Sequence, residues 1–252
     1  MNIPRPIEKF FHLSLDSLFS LIPMPKVDLN NCKIIAHRGA HDNKLILENT
    51  LKAFDKAVEL GIYGIEFDVR WTKDNIPVVC HDPCLKRVFG HNIIINETLF
   101  SDLRDGFPDV PSLKEVITRY KGKLHFMVEV KEAKSNFLED ILSDLIPVKD
   151  FHILSLNLEN FNALKFLNPL TFLPVAELNT NEMLFMVNQN GYGGLLGHYF
   201  LMNNKHINSL KDKNKKIGTG FISSRNCLFR EVGRGVDYIF TNNAEKLAEI
   251  VG

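Results

Sequence analysis

Apolar residues in this chain fall into short β-branched runs separated by stretches with helical spacing. The runs cover 33–37, 63–70, 124–131, 151–156, 171–177, 193–197, 216–222 and 236–241. Segments with apolar positions at three- and four-residue spacing lie between most of them, for example 49–60, 112–120, 158–167, 204–213 and 243–251. Strands alternating with amphipathic helices are the pattern of βαβ units on a parallel sheet. Eight such strands over residues 33–252 predict a (β/α)8 TIM-like barrel, distorted by extra pieces. Gly and Asn are frequent between 177 and 222, where the strand pattern is weakest. Residues 84–111 show no clear period and are expected to form a short loop insertion near the site, leaving an open cleft.

A ninth strand-like run, IPVVCHD at 76–82, follows 63–70 too closely for a crossover helix. Antiparallel neighbours can be joined by two residues, whereas parallel ones need about a dozen. Asp74-Asn75 reads as that two-residue turn. The hairpin then pairs residues whose numbers sum to 149, placing His81 opposite Asp68. Glu66 shares the face of Asp68, because strand side chains alternate, and Phe67 and Val69 point the other way.

Residues 1–32 form a separate amphipathic segment. Ile7, Phe10, Phe11, Leu18, Leu21 and Ile22 make a helical stripe, interrupted by Glu8, Lys9, His12 and Asp16. It is too broken to span a membrane, which needs ~20 apolar residues, or to serve as a secretory signal. Two readings stand: a helix packed across the barrel's N-terminal face, or peripheral membrane contact through residues 6–22.

Composition narrows the partners. Hydrophobic residues make up 45% of the 252, ample for a core. Thirty basic and thirty acidic residues cancel, so no net field draws the protein to nucleic acid. Cys32, Cys80, Cys84 and Cys227 fit neither a disulfide framework nor a zinc site, and as free thiols they favour a cytoplasmic location.

The chemistry-bearing residues sit at strand ends. His37-Arg38-Gly39 closes one run, Glu66 and Asp68 alternate along the second, and His81-Asp82 follows the hairpin. Glu129 and Lys131 repeat the alternation in FMVEVK, where the alternative reading is a buried ion pair. Buried carboxylates without a cation are costly. Three of them offer hard oxygen ligands suited to Mg²⁺ or Ca²⁺. Two histidines can serve as acid and base near neutral pH. Three carboxylates, a divalent cation, Arg38, Lys131 and a monoanionic diester together sum to no net charge. Those parts point to metal-assisted phosphodiester cleavage. Asn49 or Thr50 is expected to cap the helix that follows, and Glu48 to support Arg38 or a histidine from behind.

The ordered set His37-Arg38-Gly39, Glu48-Asn49-Thr50, Glu66-Phe67-Asp68-Val69, Thr72-Lys73-Asp74, Val78-Val79-Cys80-His81-Asp82 and Glu129-Val130-Lys131 resembles the glycerophosphodiester phosphodiesterase family. The likeness is dense over 34–83 and sparser to the end, through Ser155 and the run Val236 to Asn242. It implies a distorted barrel whose Glu66, Asp68 and Glu129 hold one divalent cation. His37 and His81 would be the acid–base pair, with Arg38 and Lys131 on the phosphate. The implied substrate is a glycerophosphodiester, cleaved to glycerol 3-phosphate and an alcohol. Lysophospholipase D action is the rival, and a non-catalytic binding barrel a third reading. Leu47 and Asn75 depart from the family's usual Pro and Gly. Gly218-Thr219-Gly220-Phe221 replaces an aromatic-and-Asn segment, and on that basis is expected to wall the alcohol pocket.

Overall fold

A computed structural model describes residues 20–252. Eight parallel strands close on themselves in the order β1, β9, β8, β7, β6, β5, β4, β2, with β1 pairing β2 to complete the ring. They are β1 (Ile34–His37), β2 (Gly64–Trp71), β4 (His125–Val130), β5 (Phe151–Ser155), β6 (Phe172–Ala176), β7 (Gly194–His198), β8 (Lys216–Gly220) and β9 (Tyr238–Thr241). β3 (Pro77–Val79) runs antiparallel on the far end of β2.

Alternation along each strand splits the core in two. Ile65, Phe67, Val69, Phe126, Val128 and Val130 pack outward against the helices. Inside the ring, Ile35, Met127, Leu154, Leu173, Leu196, Tyr238 and Phe240 fill the middle. Below that layer, His125 Nε2 lies 2.9 Å from His152 Nδ1, and His125 Nδ1 lies 2.9 Å from the Lys149 carbonyl. Gly218 also belongs to this interior. A Cβ there would come within 2.4 Å of Leu196 Cδ2 and 3.0 Å of Phe240 Cε2. Gly218 is therefore a packing glycine and not, as expected, part of a pocket wall.

Local sequence explains the helices that position the site. In α1 (Leu51–Glu59) the residues Ala53, Phe54 and Ala57 are buried, and the Thr50 side chain accepts from Ala53 N at the cap. α4 (Leu113–Tyr120) begins with a reciprocal capping box between Ser112 and Glu115. The stretch from 158 is not the expected α-helix. Leu158–Leu164 is a 3₁₀ helix, and its three-residue spacing of Leu158, Phe161 and Leu164 matches that tighter period.

The hairpin differs from expectation by one residue. Thr72 N donates to Ile76 O and Asn75 N to Thr72 O, with Asn75 at φ 61°, so the loop is Lys73-Asp74-Asn75. A type I turn closed by a left-handed residue makes such three-residue loops. The observed pairs are Val69 with Val79, Arg70 with Val78 and Trp71 with Pro77. Cys80, not His81, thus lies opposite Asp68, and Cys80 N donates to Asp68 O. A one-residue slip turns a strand side chain to the other face. The ladder stops at Val79, which frees His81 from that alternation.

Residues 84–111 are folded rather than an open loop. They hold α2 (Lys86–Phe89), a 3₁₀ turn at Ile95–Glu97 and α3 (Phe100–Gly106). Leu85, Ile95, Leu103 and Val110 pack with Val78 and Cys80 into a core of their own. Elements this short repeat too few times for a period to show.

The N-terminal helix expected through residues 6–22 lies almost wholly outside the described residues. Where description begins, Asn226 Nδ2 donates to Ser20 O. Asn226 lies in the first turn of α5 (Arg225–Gly233), which follows β8, so Ser20 sits at the C-terminal end of the barrel. Among the described residues no helix is long and apolar enough to cross a membrane.

Candidate active site

Register brings the carboxylates together. His37 of β1 aligns with Glu66 of β2, and Asp68 of β2 aligns with Glu129 of β4. All three carboxylates face inward, Glu66 level with the last residue of β1 and Asp68 level with Glu129 near the end of β4, toward the C-terminal side where barrel enzymes place their chemistry. Glu66, Asp68 and Glu129 each offer an oxygen within 4.8 Å of the others, and all three are buried. Glu66 Oε1 is buried with no hydrogen-bond partner. Three converging carboxylates with an orphaned oxygen form a donor set that can hold a divalent cation.

Their electrostatics are unbalanced without one. Burial, then Asp68 and Glu129, raise the proton affinity of Glu66 well above the usual carboxylate range. Burial likewise raises Glu129. Asp68 is equally buried, yet Lys131 and Arg38 hold it ionised. Lys131 Nζ lies 2.8 Å from Asp68 Oδ1 and also pairs with Glu129. The ion pair anticipated between Glu129 and Lys131 is present, and Asp68 joins it. Like charges at this range cannot all ionise unless a cation balances them.

The loop after β1 supplies the next group. Arg38 adopts φ 57° and Gly39 φ 82°. A Cβ on Gly39 would meet Ala53 Cβ at 2.7 Å, so glycine lets the turn press against α1. Arg38 N donates to Glu66 Oε2 at 3.0 Å, its Nη1 to Glu48 Oε1 at 2.8 Å, and its Nε lies 3.4 Å from Asp68 Oδ2. Glu48 therefore supports Arg38, as expected. Thr50 is the cap of α1; Asn49, at φ 58°, instead donates Nδ2 to Asp68 Oδ2 at 2.8 Å.

The two histidines have different partners. His37 Nδ1 lies 2.6 Å from Asn242 Oδ1, and its Nε2 lies 3.7 Å from Glu66 Oε2. His81 Nδ1 lies 2.7 Å from Asp82 Oδ1. Burial lowers both imidazoles: Arg38 adds to the effect at His37, and the Asp68 charge opposes it at His81. Phe221, at φ 69°, sets its ring edge-on to His37 at 6.0 Å and stacked on His198 at 5.5 Å.

The structure brings the three expected carboxylates Glu66, Asp68 and Glu129 together with both histidines, and adds four supporting residues that the sequence did not single out as such. Asn242 follows β9 and Asp82 follows His81, each at the end of a family-like run, so adjacency to such a run is the available signal. Asn49 is one of two candidate caps in the sequence, and Thr50 is the cap observed. Arg87 lies in the insertion and carried no signal at all.

The same architecture recurs in solved proteins. A glycerophosphodiester phosphodiesterase from Thermotoga maritima superposes with a TM-score of 0.74 at 24% identity, covering 87% of this chain and 98% of that one. An Oleispira antarctica phosphodiesterase, solved with its product sn-glycerol-3-phosphate, gives 0.74 at 21% identity, with 90% and 97% covered. In sequence, a glycerophosphodiester phosphodiesterase of Caldanaerobacter subterraneus subsp. tengcongensis is 29% identical over 239 residues, or 86% of this chain and 97% of that relative. The profile of the glycerophosphoryl diester phosphodiesterase family matches residues 37–173, from the first site histidine into β6 and across more than half of the sequence. By that match, this chain belongs to the glycerophosphoryl diester phosphodiesterase family.

Proposed function

We propose that this enzyme converts glycerophosphodiesters to glycerol 3-phosphate and an alcohol through acid–base catalysis by His37 and His81 beside one divalent cation. The observation that carries the reading is the convergence of Glu66, Asp68 and Glu129 at the barrel mouth with both histidines and Arg38. The glycerol 3-phosphate bound by the Oleispira phosphodiesterase supports the product class. Mg²⁺ or Ca²⁺ suits an all-oxygen set, and when bound would polarise the phosphoryl oxygens.

The residues divide the remaining work. Arg38 offers a planar fork to the non-bridging oxygens. Lys131 contributes its charge to the diester once a cation balances the carboxylates. His37 directs Nδ1 at the Asn242 amide oxygen, which leaves Nε2 as the unprotonated nitrogen, and burial with the Arg38 charge keeps the ring neutral; it acts as the base on the attacking oxygen. His81 backs onto the Asp82 carboxylate, which favours the imidazolium; it acts as the acid toward the leaving alkoxide.

Each histidine variant should lose ~10²–10⁴-fold in kcat on glycerophosphocholine. A nitrophenol leaving group needs no proton, so it should rescue His81→Ala and leave His37→Ala inactive. Rescue of His37→Ala instead would reverse the assignment, and normal kcat in either variant would remove it.

One observation favours a secondary activity on lysophospholipids. Leu45, Phe137, Leu156, Leu178, Phe200 and Phe221 are exposed, one in each of the loops after β1, β4, β5, β6, β7 and β8. They lie around the mouth, and Ser20 lies at the same end; this rim is proposed to meet a lipid surface together with the sequence-derived peripheral contact through residues 6–22. The free cysteines support a cytoplasmic location. Deleting residues 1–19 should then lower kcat/KM on lysophosphatidylcholine aggregates while sparing glycerophosphocholine; an unchanged ratio would exclude surface docking.

A further inference from the structure

The helix that opens the insertion sends one side chain back to both halves of the site. Arg87 Nε donates to Asp82 Oδ2 at 2.5 Å. Its Nη1 and Nη2 donate to Glu48 Oε2 at 2.9 Å and Oε1 at 2.6 Å. Asp82 is the carboxylate behind His81, and Glu48 is the carboxylate behind Arg38. One guanidinium therefore joins a continuous chain: His81, Asp82, Arg87, Glu48, Arg38. The chain's two ends are the group assigned to the leaving oxygen and the group assigned to the phosphate.

We propose that Arg87 is a positioning residue that sets His81 and Arg38 in register with each other. The proposal rests on the roles given above to His81 and Arg38. The rigid fork of arginine makes both connections at once: two parallel bonds to one carboxylate and a third to another. Lysine, a single point charge, can serve one carboxylate well but cannot span both. Glu48 is 3% exposed and takes both Arg38 and Arg87, together with Asn43 Nδ2 at 2.7 Å. Without Arg87 it keeps one cation and gains freedom to turn. Asp82 loses one of the bonds that orient it, and the imidazole it holds is less firmly fixed in one tautomer. The insertion thereby contributes to catalysis through Arg87.

A purely structural Arg87 would do no more than pin α2 to the barrel, so the test must separate the two roles. Full-length wild type, Arg87→Ala and Arg87→Lys are compared with the divalent cation supplied. Three readouts are kcat on glycerophosphocholine, affinity for glycerol 3-phosphate by calorimetry, and the His81 tautomer by ¹⁵N NMR. Arg87→Ala should lose about 10–100-fold in kcat, as outer partners of functional groups commonly do. Its product affinity should fall and its His81 should become a tautomer mixture. The Arg87 side chain is 37% exposed, so a guanidinium ion can enter the gap it leaves. Added guanidinium should restore turnover in Arg87→Ala and do nothing for wild type, and Arg87→Lys should be intermediate.

Turnover near wild type, or a loss with unchanged tautomer, unchanged product affinity and no guanidinium rescue, overturns the proposal. Failure of the wild type to turn over any glycerophosphodiester would instead fault the functional reading. The tautomer and affinity comparisons still decide the case for Arg87 in that event.

Discussion

The histidine pair beneath the active site should make the barrel acid-sensitive in a specific pH window. His125 is 5% exposed and His152 wholly buried. Burial pushes His125 down to about 4, with the Lys149 carbonyl opposing the shift, and His152 down to about 3, with His125 and Lys216 adding to it. In the unfolded chain each returns to about 6.5. Between those values the unfolded state binds protons that the folded state refuses, so stability is complete above pH 6.5 and falls as pH drops toward 4. At ~1.4 kcal/mol per pH unit for each fully linked proton, lowering pH from 7.5 to 5 costs about 2 kcal/mol per histidine. Carboxylates elsewhere also titrate, so the quantity to measure is a difference. Urea unfolding at pH 7.5 and pH 5 is compared for wild type, His152→Met and the double variant His125→Gln/His152→Met. Wild type should lose about 4 kcal/mol more than the double variant over that interval, with the single variant between them. Equal pH dependence in wild type and double variant would mean that the pair is charged in the folded protein or already shielded in the unfolded one.

Three further outcomes follow from the geometry. Gly218→Ala should destabilise the fold by ~1–3 kcal/mol in urea, because its methyl overlaps Leu196 and Phe240, while KM stays at the wild-type value. Removing the cation with a chelator should abolish turnover reversibly; calorimetry should then find a single Mg²⁺ or Ca²⁺ site that Glu66→Gln, Asp68→Asn and Glu129→Gln each weaken. Glu48, though burial opposes it, is held ionised by Arg87 and Arg38. Its stabilising contribution is present above the ordinary glutamate value near 4.5 and is lost as pH falls below it. Glu48→Gln should flatten that part of the acid unfolding curve and lower kcat/KM by about 10–100-fold.

Much of this molecule was legible because its determinants are local. Apolar runs of four to eight residues separated by helical spacing mark all eight barrel strands within a few residues, since burial on both faces demands continuous apolar sequence. Alternation alone separates Glu66 and Asp68 from Phe67 and Val69, and places Glu129 with Lys131. The ordered motifs then name the site. What remained hidden depends on contacts between distant segments. The hairpin register turned on whether Asn75 adopts a left-handed conformation, which converts a two-residue turn to three and puts Cys80 opposite Asp68. No spacing rule finds the Asn242 partner of His37, 205 residues away, or the reach of Arg87 to Glu48 across 39 residues. Gly218 looked like a missing pocket wall until barrel closure brought Leu196 and Phe240 against it. Sequence determined which groups can do chemistry and on which strand face each stands, because periodicity is a property of the backbone. Tertiary structure decided which of them share partners, because closing the ring sets distances that no stretch of chain encodes by itself.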